Sequence, residues 1–251
     1  MRFESRGTLF REFDETFSAV FGRRTSSRGA VLRMLAEAPL SVAEIARDMG
    51  KTPGGKLTRT LKDLEYAGFV ARDSGLNPQT GEPLRVERYR VKDNYTRFYL
   101  RCVEPRKNEI AVGGYRLTSV EQLPGWDAIM GLAFENLVVN NWKELLPLMG
   151  VGSAIVESAA PYRRGPSENG KGVQIDLLVQ TPRTAYAVEI KRKNRIGREV
   201  EAEMERKLSR LKVRKGLSVR PVLVYDGELD PKLAGSGYFA AIIDAARLLG
   251  R

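Results

Sequence analysis

Asp176, Glu189 and Lys191 are residues whose types and spacing could do chemistry together. They stand in two apolar runs, Val173-Gln174-Ile175-Asp176-Leu177-Leu178-Val179 and Tyr186-Ala187-Val188-Glu189-Ile190-Lys191. Both runs alternate with a period of two, and Thr181-Pro182-Arg183-Thr184 between them reads as a tight antiparallel turn. With Thr181 paired to Thr184, Asp176 falls opposite Glu189. Glu189 and Lys191 then share the face of Asp176, whereas Ile175, Leu177, Val188 and Ile190 point to the other. Two cross-strand carboxylates repel and call for a cation. A hard divalent ion, Mg²⁺ or Mn²⁺, takes such oxygen ligands, and a lysine beside it could hold a water or a developing phosphate charge. That outlines metal-assisted phosphodiester hydrolysis. The plain alternative is a hairpin with a wet face on which Lys191 simply neutralises Glu189.

Asp176 followed by Glu189-Ile190-Lys191 on the next strand resembles the PD-(D/E)xK nuclease-like superfamily. The resemblance implies that Asp176 and Glu189 bind Mg²⁺ and that Lys191 positions the attacking water. The superfamily often adds a glutamate from a helix ahead of the first strand, and Glu135 in Gly131-Leu132-Ala133-Phe134-Glu135-Asn136-Leu137 matches it. Glu135 lies between Trp142 and Leu146 on a helical projection, with Val139 on the same side. Its ordinary role would be to cap a helix edge. The chain departs from the motif in having Ile175, not proline, before Asp176.

Composition narrows the chemistry. The 251 residues suffice for two domains, and 42% of them are hydrophobic, as in ordinary globular proteins. There is no histidine, which removes Ser-His-Asp and Cys-His triads, histidine bases and histidine-bearing zinc sites. Cys102 is the one cysteine and reads as a buried apolar residue in a reducing compartment. Catalysis would therefore rest on carboxylates, lysine, arginine or hydroxyls. The segment Met1-Arg2-Phe3-Glu4-Ser5-Arg6 lacks the apolar core of a signal peptide, and no apolar run approaches about 18 residues. A cytoplasmic protein with no membrane partner is the expectation.

The net charge of +11 is unevenly placed: residues 191–215 carry eleven Lys/Arg against four Glu. A patch of that kind suits a polyanion, because each neutralised phosphate releases condensed counterions. Arg192, Lys193 and Arg195 are expected to meet phosphate. Residues 199–210 read instead as a solvated helix with i,i+4 charge pairs.

Upstream, Arg28–Ala36 reads as a short helix with Val31, Leu32 and Leu35 inward. Ser41-Val42-Ala43-Glu44 is a capping box opening a second helix that runs through Met49. Thr52 and Pro53 look like the cap and first position of a third, in which Leu57, Leu61 and Leu64 pack while Lys56, Arg59, Thr60 and Lys62 face out. Phe69-Val70-Ala71 and Arg85-Val86-Glu87-Arg88-Tyr89-Arg90-Val91 complete a two-stranded wing. The whole reads as a winged helix-turn-helix whose third helix enters a DNA major groove while Arg85, Arg88 and Arg90 reach the backbone or minor groove. Such modules also serve for docking. Gly50 to Leu57 satisfies the first part of a P-loop, but Leu57 stands where the magnesium-binding hydroxyl belongs, so no nucleotide site is expected.

Asp93–Arg101 is an aromatic-rich helix, and residues 104–125 read as a linker. Beyond it we expect a helix over Trp126–Leu148, a strand near Ala154–Glu157, the motif hairpin, a helix over Glu199–Arg214, a strand at Pro221–Tyr225 and a final helix over Phe239–Leu249. Arg163 and Arg164 fall in a loop before Asp176. The expected fold is thus α/β (α+β). Residues 1–27 form a helical segment and 28–103 a winged helix with its connecting helix; after the 104–125 linker, 126–251 form a restriction-endonuclease-like αβββαβ domain.

This order resembles the C-terminal half of archaeal and bacterial DEXX-box AAA-type ATPases, from Leu9-Phe10-Arg11-Glu12-Phe13 through Leu40–Ala46 and Asp93–Phe98 to Phe134-Glu135 and Ile175-Asp176. The ATPase core itself is absent from the sequence. Two functions follow: a Mg²⁺-dependent deoxyribonuclease tethered to double-stranded DNA, or a non-catalytic DNA-binding regulator or docking module serving a separate AAA-type ATPase. RNA is a further substrate to weigh, and a homo-oligomer is compatible with either reading.

Overall fold

In the computed structural model the described residues are 8–21, 25–112, 114–115, 119–152, 155–166 and 171–249. The chain forms two compact units: residues 1–73 with 86–133, and residues 74–85 with 134–251.

In the first unit α1 (Thr8–Phe21) and α2 (Thr25–Glu37) precede a two-residue strand β1 (Leu40–Ser41), α3 (Val42–Asp48) and α4 (Gly55–Tyr66). The capping box is present, with Ser41 accepting from Glu44 N–H and the Glu44 carboxylate reaching back to Ser41 N–H. Gly50 and Gly68 close α3 and α4 with φ of 64° and 80°, a region that glycine enters without a Cβ penalty. Helix α4 starts at Gly55 with Gly54 as its N-cap, later than the expected Thr52 and Pro53. The chain stays extended to Gly54, at φ −166° and ψ 170°.

Strands β2 (Val70–Asp73) and β3 (Arg88–Val91) join β1 in an antiparallel sheet of order β1-β3-β2. Val31, Leu32, Leu35, Ile45, Leu61 and Leu64 pack beneath it, with Phe13 and Phe17 of α1 against Tyr99 and Phe69. Helix α5 (Asn94–Phe98), capped by Asp93, runs on as a wider π-helical turn to Val103, and α6 (Lys107–Ala111) follows. Ile110 and Leu123 are buried in this same core. The 104–125 stretch is therefore part of the first unit and not only a linker.

The second unit is a five-stranded sheet between two helical layers. Its order is β4 (Ser158–Arg164), β5 (Val173–Gln180), β6 (Thr184–Ile196), β7 (Ser218–Leu229) and β8 (Ala241–Asp244), with β4, β5 and β6 antiparallel and β6, β7 and β8 parallel. The α/β class and the expected succession are present, with one strand added. Helices α7 (Trp126–Asn140, counted with this unit from Phe134) and α8 (Trp142–Leu148) cover one face through Phe134, Val138 and Leu145. They replace the single expected helix, because Asn141 leaves helical geometry at φ −108° and ψ 29°. Helix α9 (Glu199–Leu208) covers the other face through Val200 and Met204, shorter than the expected Glu199–Arg214, and α10 (Pro231–Ala234) adds Leu233.

The expected helix over Phe239–Leu249 is instead strand β8 followed by a short 3₁₀ turn, Ala245–Leu249. A brief apolar run such as Ala241-Ile242-Ile243 suits a buried parallel strand as well as a helix, and the open edge of β7 decides between them. The expected strand near Ala154–Glu157 lies a few residues later, as β4. Ala154 is outside the described residues. Arg163 and Arg164 belong to that strand, bonded to the Gln174 side chain and the Arg210 carbonyl, and are not loop charges.

Residues 74–85, expected as the tip of a wing on the first unit, belong to the second. Leu76 N–H donates to Ser158 Oγ at 3.0 Å, Gln180 Nε2 donates to the Leu76 carbonyl at 2.7 Å, and Arg214 N–H donates to the Pro78 carbonyl at 2.8 Å. Leu84 packs into the α9-side core.

Candidate active site

The β5–β6 hairpin has the register read from the sequence. Thr181 N–H donates to the Thr184 carbonyl at 2.8 Å, and the ladder runs from Gln180↔Ala185 to Leu177↔Val188. There it stops, and the Asp176 carboxylate takes the next free donor, Ile190 N–H, at 3.0 Å. On its other edge β5 shifts register against β4: Ala160 pairs with Leu178 but Tyr162 with Ile175. Asp176 and Leu177 thus stand opposite Pro161 alone, which is a β-bulge. Pro161, on the edge strand, has no N–H to give the ladder.

The bulge changes which side chains face where. Leu177 and Val188 enter the core on the α7–α8 side, with Ile190 packed against it, as expected of these three. Ile175 goes the other way, into the core beneath α9 with Ala185 and Ala187. A strict period of two cannot survive an inserted residue.

Glu189 and Lys191 face α9, where the sequence reading saw only a solvated helix. Glu189 is 1% exposed and Asp176 8%. Lys191 Nζ is 3.0 Å from Glu189 Oε1 and 2.6 Å from Glu203 Oε2. Lys207 Nζ is hydrogen-bonded to Glu189 Oε2 and lies 3.7 Å from Asp176 Oδ1. Three carboxylates and two ammonium groups so form a continuous chain, Asp176–Lys207–Glu189–Lys191–Glu203. Glu203 and Lys207 are the members missed from sequence. The signal was there: they follow one another at i,i+4, directly beside the buried Val200 and Met204.

Burial, and then the charge of Glu189, push the Asp176 carboxyl above the ordinary aspartate value, against the pull of Lys207 and the Ile190 N–H. Burial works against the Lys191 charge, but the Glu203 hydrogen bond and the Glu189 charge outweigh it and hold the ammonium above its usual value. The same Lys191 bond holds Glu203 below the usual carboxylate range.

Glu135 is half-buried on α7. Among the described residues no three Asp, Glu or Cys side chains gather closely enough to hold a metal by themselves. Glu135 is therefore not drawn into a three-carboxylate cluster with Asp176 and Glu189. The remaining pair still fits a divalent cation, since Mg²⁺ commonly takes one or two carboxylates and fills its shell with water and phosphate oxygens. The Lys207 ammonium is itself a positive charge held by both carboxylates.

The cations singled out for DNA divide by environment. Lys56, Arg59 and Lys62 are exposed along one side of α4, while Thr60, expected outward with them, is buried beside Leu61 and Leu64 and donates its hydroxyl to the Lys56 carbonyl at 3.1 Å. Arg85 is exposed in the second unit's 74–85 segment. Arg88 and Arg90 do not project as a wing would require. Arg88 bonds the Pro39 carbonyl and Glu44, each at 2.8 Å. Arg90 is buried and paired with Asp73 at 2.9 Å. At strand positions opposite β1 and β2, these guanidiniums find carboxylates of their own unit. Arg192 pairs with Asp226 at 3.2 Å and Arg195 with Asp230 at 3.1 Å, at the far end of the β6–β7 pair, and Lys193 is exposed.

No family model and no curated protein matches the chain. Three solved structures show distant likeness. Protein VC1899 from Vibrio cholerae is 14% identical with a TM-score of 0.35, over 96% of this chain and 52% of that one, so the chain spans about half its length. AbfR in its disulfide form is 26% identical with a TM-score of 0.28, over 55% of this chain and 83% of that one. The SdaI restriction endonuclease is 13% identical with a TM-score of 0.26, over 90% of this chain and 87% of that one. The functional reading rests on the site's own geometry. Among the described residues no helix is long and apolar enough to cross a membrane.

Proposed function

We propose that the second unit hydrolyses phosphodiester bonds of DNA with a divalent cation, and that the first unit is a winged helix that holds the duplex. The observation that carries this reading is the meeting of Asp176 and Glu189 on adjacent strands, both nearly dry, with Lys191 and Lys207 against them. Buried carboxylates placed side by side are costly, and sites of this kind concentrate where chemistry needs them. Bound by Asp176 and Glu189, Mg²⁺ or Mn²⁺ would polarise the scissile phosphate and lower the pKa of a water.

Lys191, fixed by Glu203 and Glu189, orients that water and meets the charge that develops on the phosphate. Glu135, on α7 at the other face of the sheet from α9, is left out of this site. The exposed Lys56, Arg59 and Lys62 of the first unit bind phosphates of the duplex, and the exposed Lys193 and Arg85 of the second bind phosphates on their own account. Arg192 and Arg195 reach phosphate only by exchanging their partners Asp226 and Asp230.

A second reading has its own support. The two carboxylates are already neutralised by lysines, as they would be in a nuclease-like scaffold that docks DNA or a separate AAA-type ATPase without cutting. Cleavage of supercoiled and linear DNA across a Mg²⁺ and Mn²⁺ titration separates the two. Metal-dependent nicking lost in Asp176→Asn and in Lys191→Ala supports the hydrolase. Tight, salt-dependent binding with no cleavage supports the scaffold. Replacing Lys56, Arg59 and Lys62 by alanine should flatten the salt dependence of duplex binding by about 0.9 per lost phosphate contact.

A further inference from the structure

We propose that Lys207 is a resident counter-ion of the site: its ammonium holds Asp176 and Glu189 together until a divalent cation displaces it. This rests on the proposed metal-dependent reading and adds a residue that the strand motif does not contain. Lys207 Nζ bonds Glu189 Oε2 and lies 3.7 Å from Asp176 Oδ1, so it engages both carboxylates a metal would need.

The two lysines of the network are not equivalent. Lys191 is shared between Glu189 and Glu203, and it keeps Glu203 when Glu189 turns to a metal. The ion pairs of Lys207 are with Glu189 and Asp176 themselves, so a cation that takes those two takes both of its partners. Position favours release as well. Lys207 is in the last turn of α9, beside the helix end at Leu208, and its side chain is 25% exposed on a flexible four-carbon stem. A cation near a helix C-terminus is also favoured by the helix dipole, which keeps the resting state populated. The ammonium offsets the repulsion between two buried carboxylates, and it means that metal binds only against competition.

The test is calorimetric titration of the full chain with Mn²⁺ and Mg²⁺, comparing wild type, Lys207→Met and Lys207→Arg. Removing the competing charge in Lys207→Met should tighten metal binding by roughly tenfold or more, equivalent to about 1.4 kcal/mol. Lys207→Arg keeps the charge and should bind no tighter than wild type. A second measurement needs no variant: amine acylation of wild-type protein, read by mass spectrometry. Adding Mn²⁺ should raise labelling at Lys207 while Lys191 stays protected. Equal metal affinity in wild type and Lys207→Met, or Lys207 labelling unchanged by a metal that binds, overturns the proposal. Tighter binding by Lys207→Met with no DNA cleavage by either protein leaves the counter-ion standing and removes the hydrolase. Cleavage by wild type with metal affinity unaltered in Lys207→Met does the reverse. Absence of metal binding in every protein overturns both.

Discussion

Replacing Arg90 by methionine tests whether that residue belongs to the core or to a DNA contact. In the structure Arg90 and Asp73 pair at 2.9 Å with side chains only 10% and 7% exposed. Removing one member of such a pair leaves a buried charge without its partner, at a cost of about 3–5 kcal/mol. At about 4 °C per kcal/mol for a unit of this size, the melting temperature of the helical unit should fall by roughly 12–20 °C. The penalty depends on pH. Burial raises the Asp73 carboxyl above the ordinary aspartate value of 3.8, against the pull of Arg90. Without Arg90 it rises further, so the folded state holds its proton to higher pH than the unfolded chain does. The loss of stability is then absent below that ordinary value and grows as pH rises through the folded-state pKa. Asp73→Asn combined with Arg90→Met should recover most of the stability, because no unpaired charge remains. Urea and thermal melts read the stability, and duplex binding against salt concentration reads the contact. An Arg90→Met protein within about 0.5 kcal/mol of wild type, with its salt slope reduced by about 0.9, would refute the assignment and make Arg90 a phosphate ligand.

Two further outcomes are expected. Asp176→Asn in metal-free buffer should gain stability relative to wild type as pH rises above the ordinary aspartate value of 3.8, because the raised Asp176 pKa costs wild type stability as the carboxyl ionises; denaturant melts at each pH check it, and parallel curves would count against it. Ser41→Ala removes the side-chain half of the α3 capping box and should cost about 1 kcal/mol in thermal melts, with metal affinity unchanged.

Where chemistry is local, the sequence was enough. The capping box at Ser41 and Glu44, the hairpin register from Gln180↔Ala185 to Leu177↔Val188, and the exposure of Lys56, Arg59 and Lys62 on α4 all follow from turn chemistry and periodicity within a few residues. The α/β class followed as well, since alternating runs and amphipathic stretches declare their own periods. Tertiary structure decided the rest, because each remaining feature depends on a partner distant in sequence. The bulge that sends Ile175 beneath α9 arises where β5 meets Pro161 on β4. The 239–249 segment became a strand and a short turn because β7 offered it an edge. Arg88 and Arg90 lost their place at a DNA surface to Glu44 and Asp73, carboxylates that no local pattern assigns to them. Above all, Glu203 and Lys207 entered the site because packing of Val200 and Met204 rolls the charged stripe of α9 against β6. Helical spacing determined which α9 residues move together, and only burial against the sheet determined that this stripe meets Asp176 and Glu189.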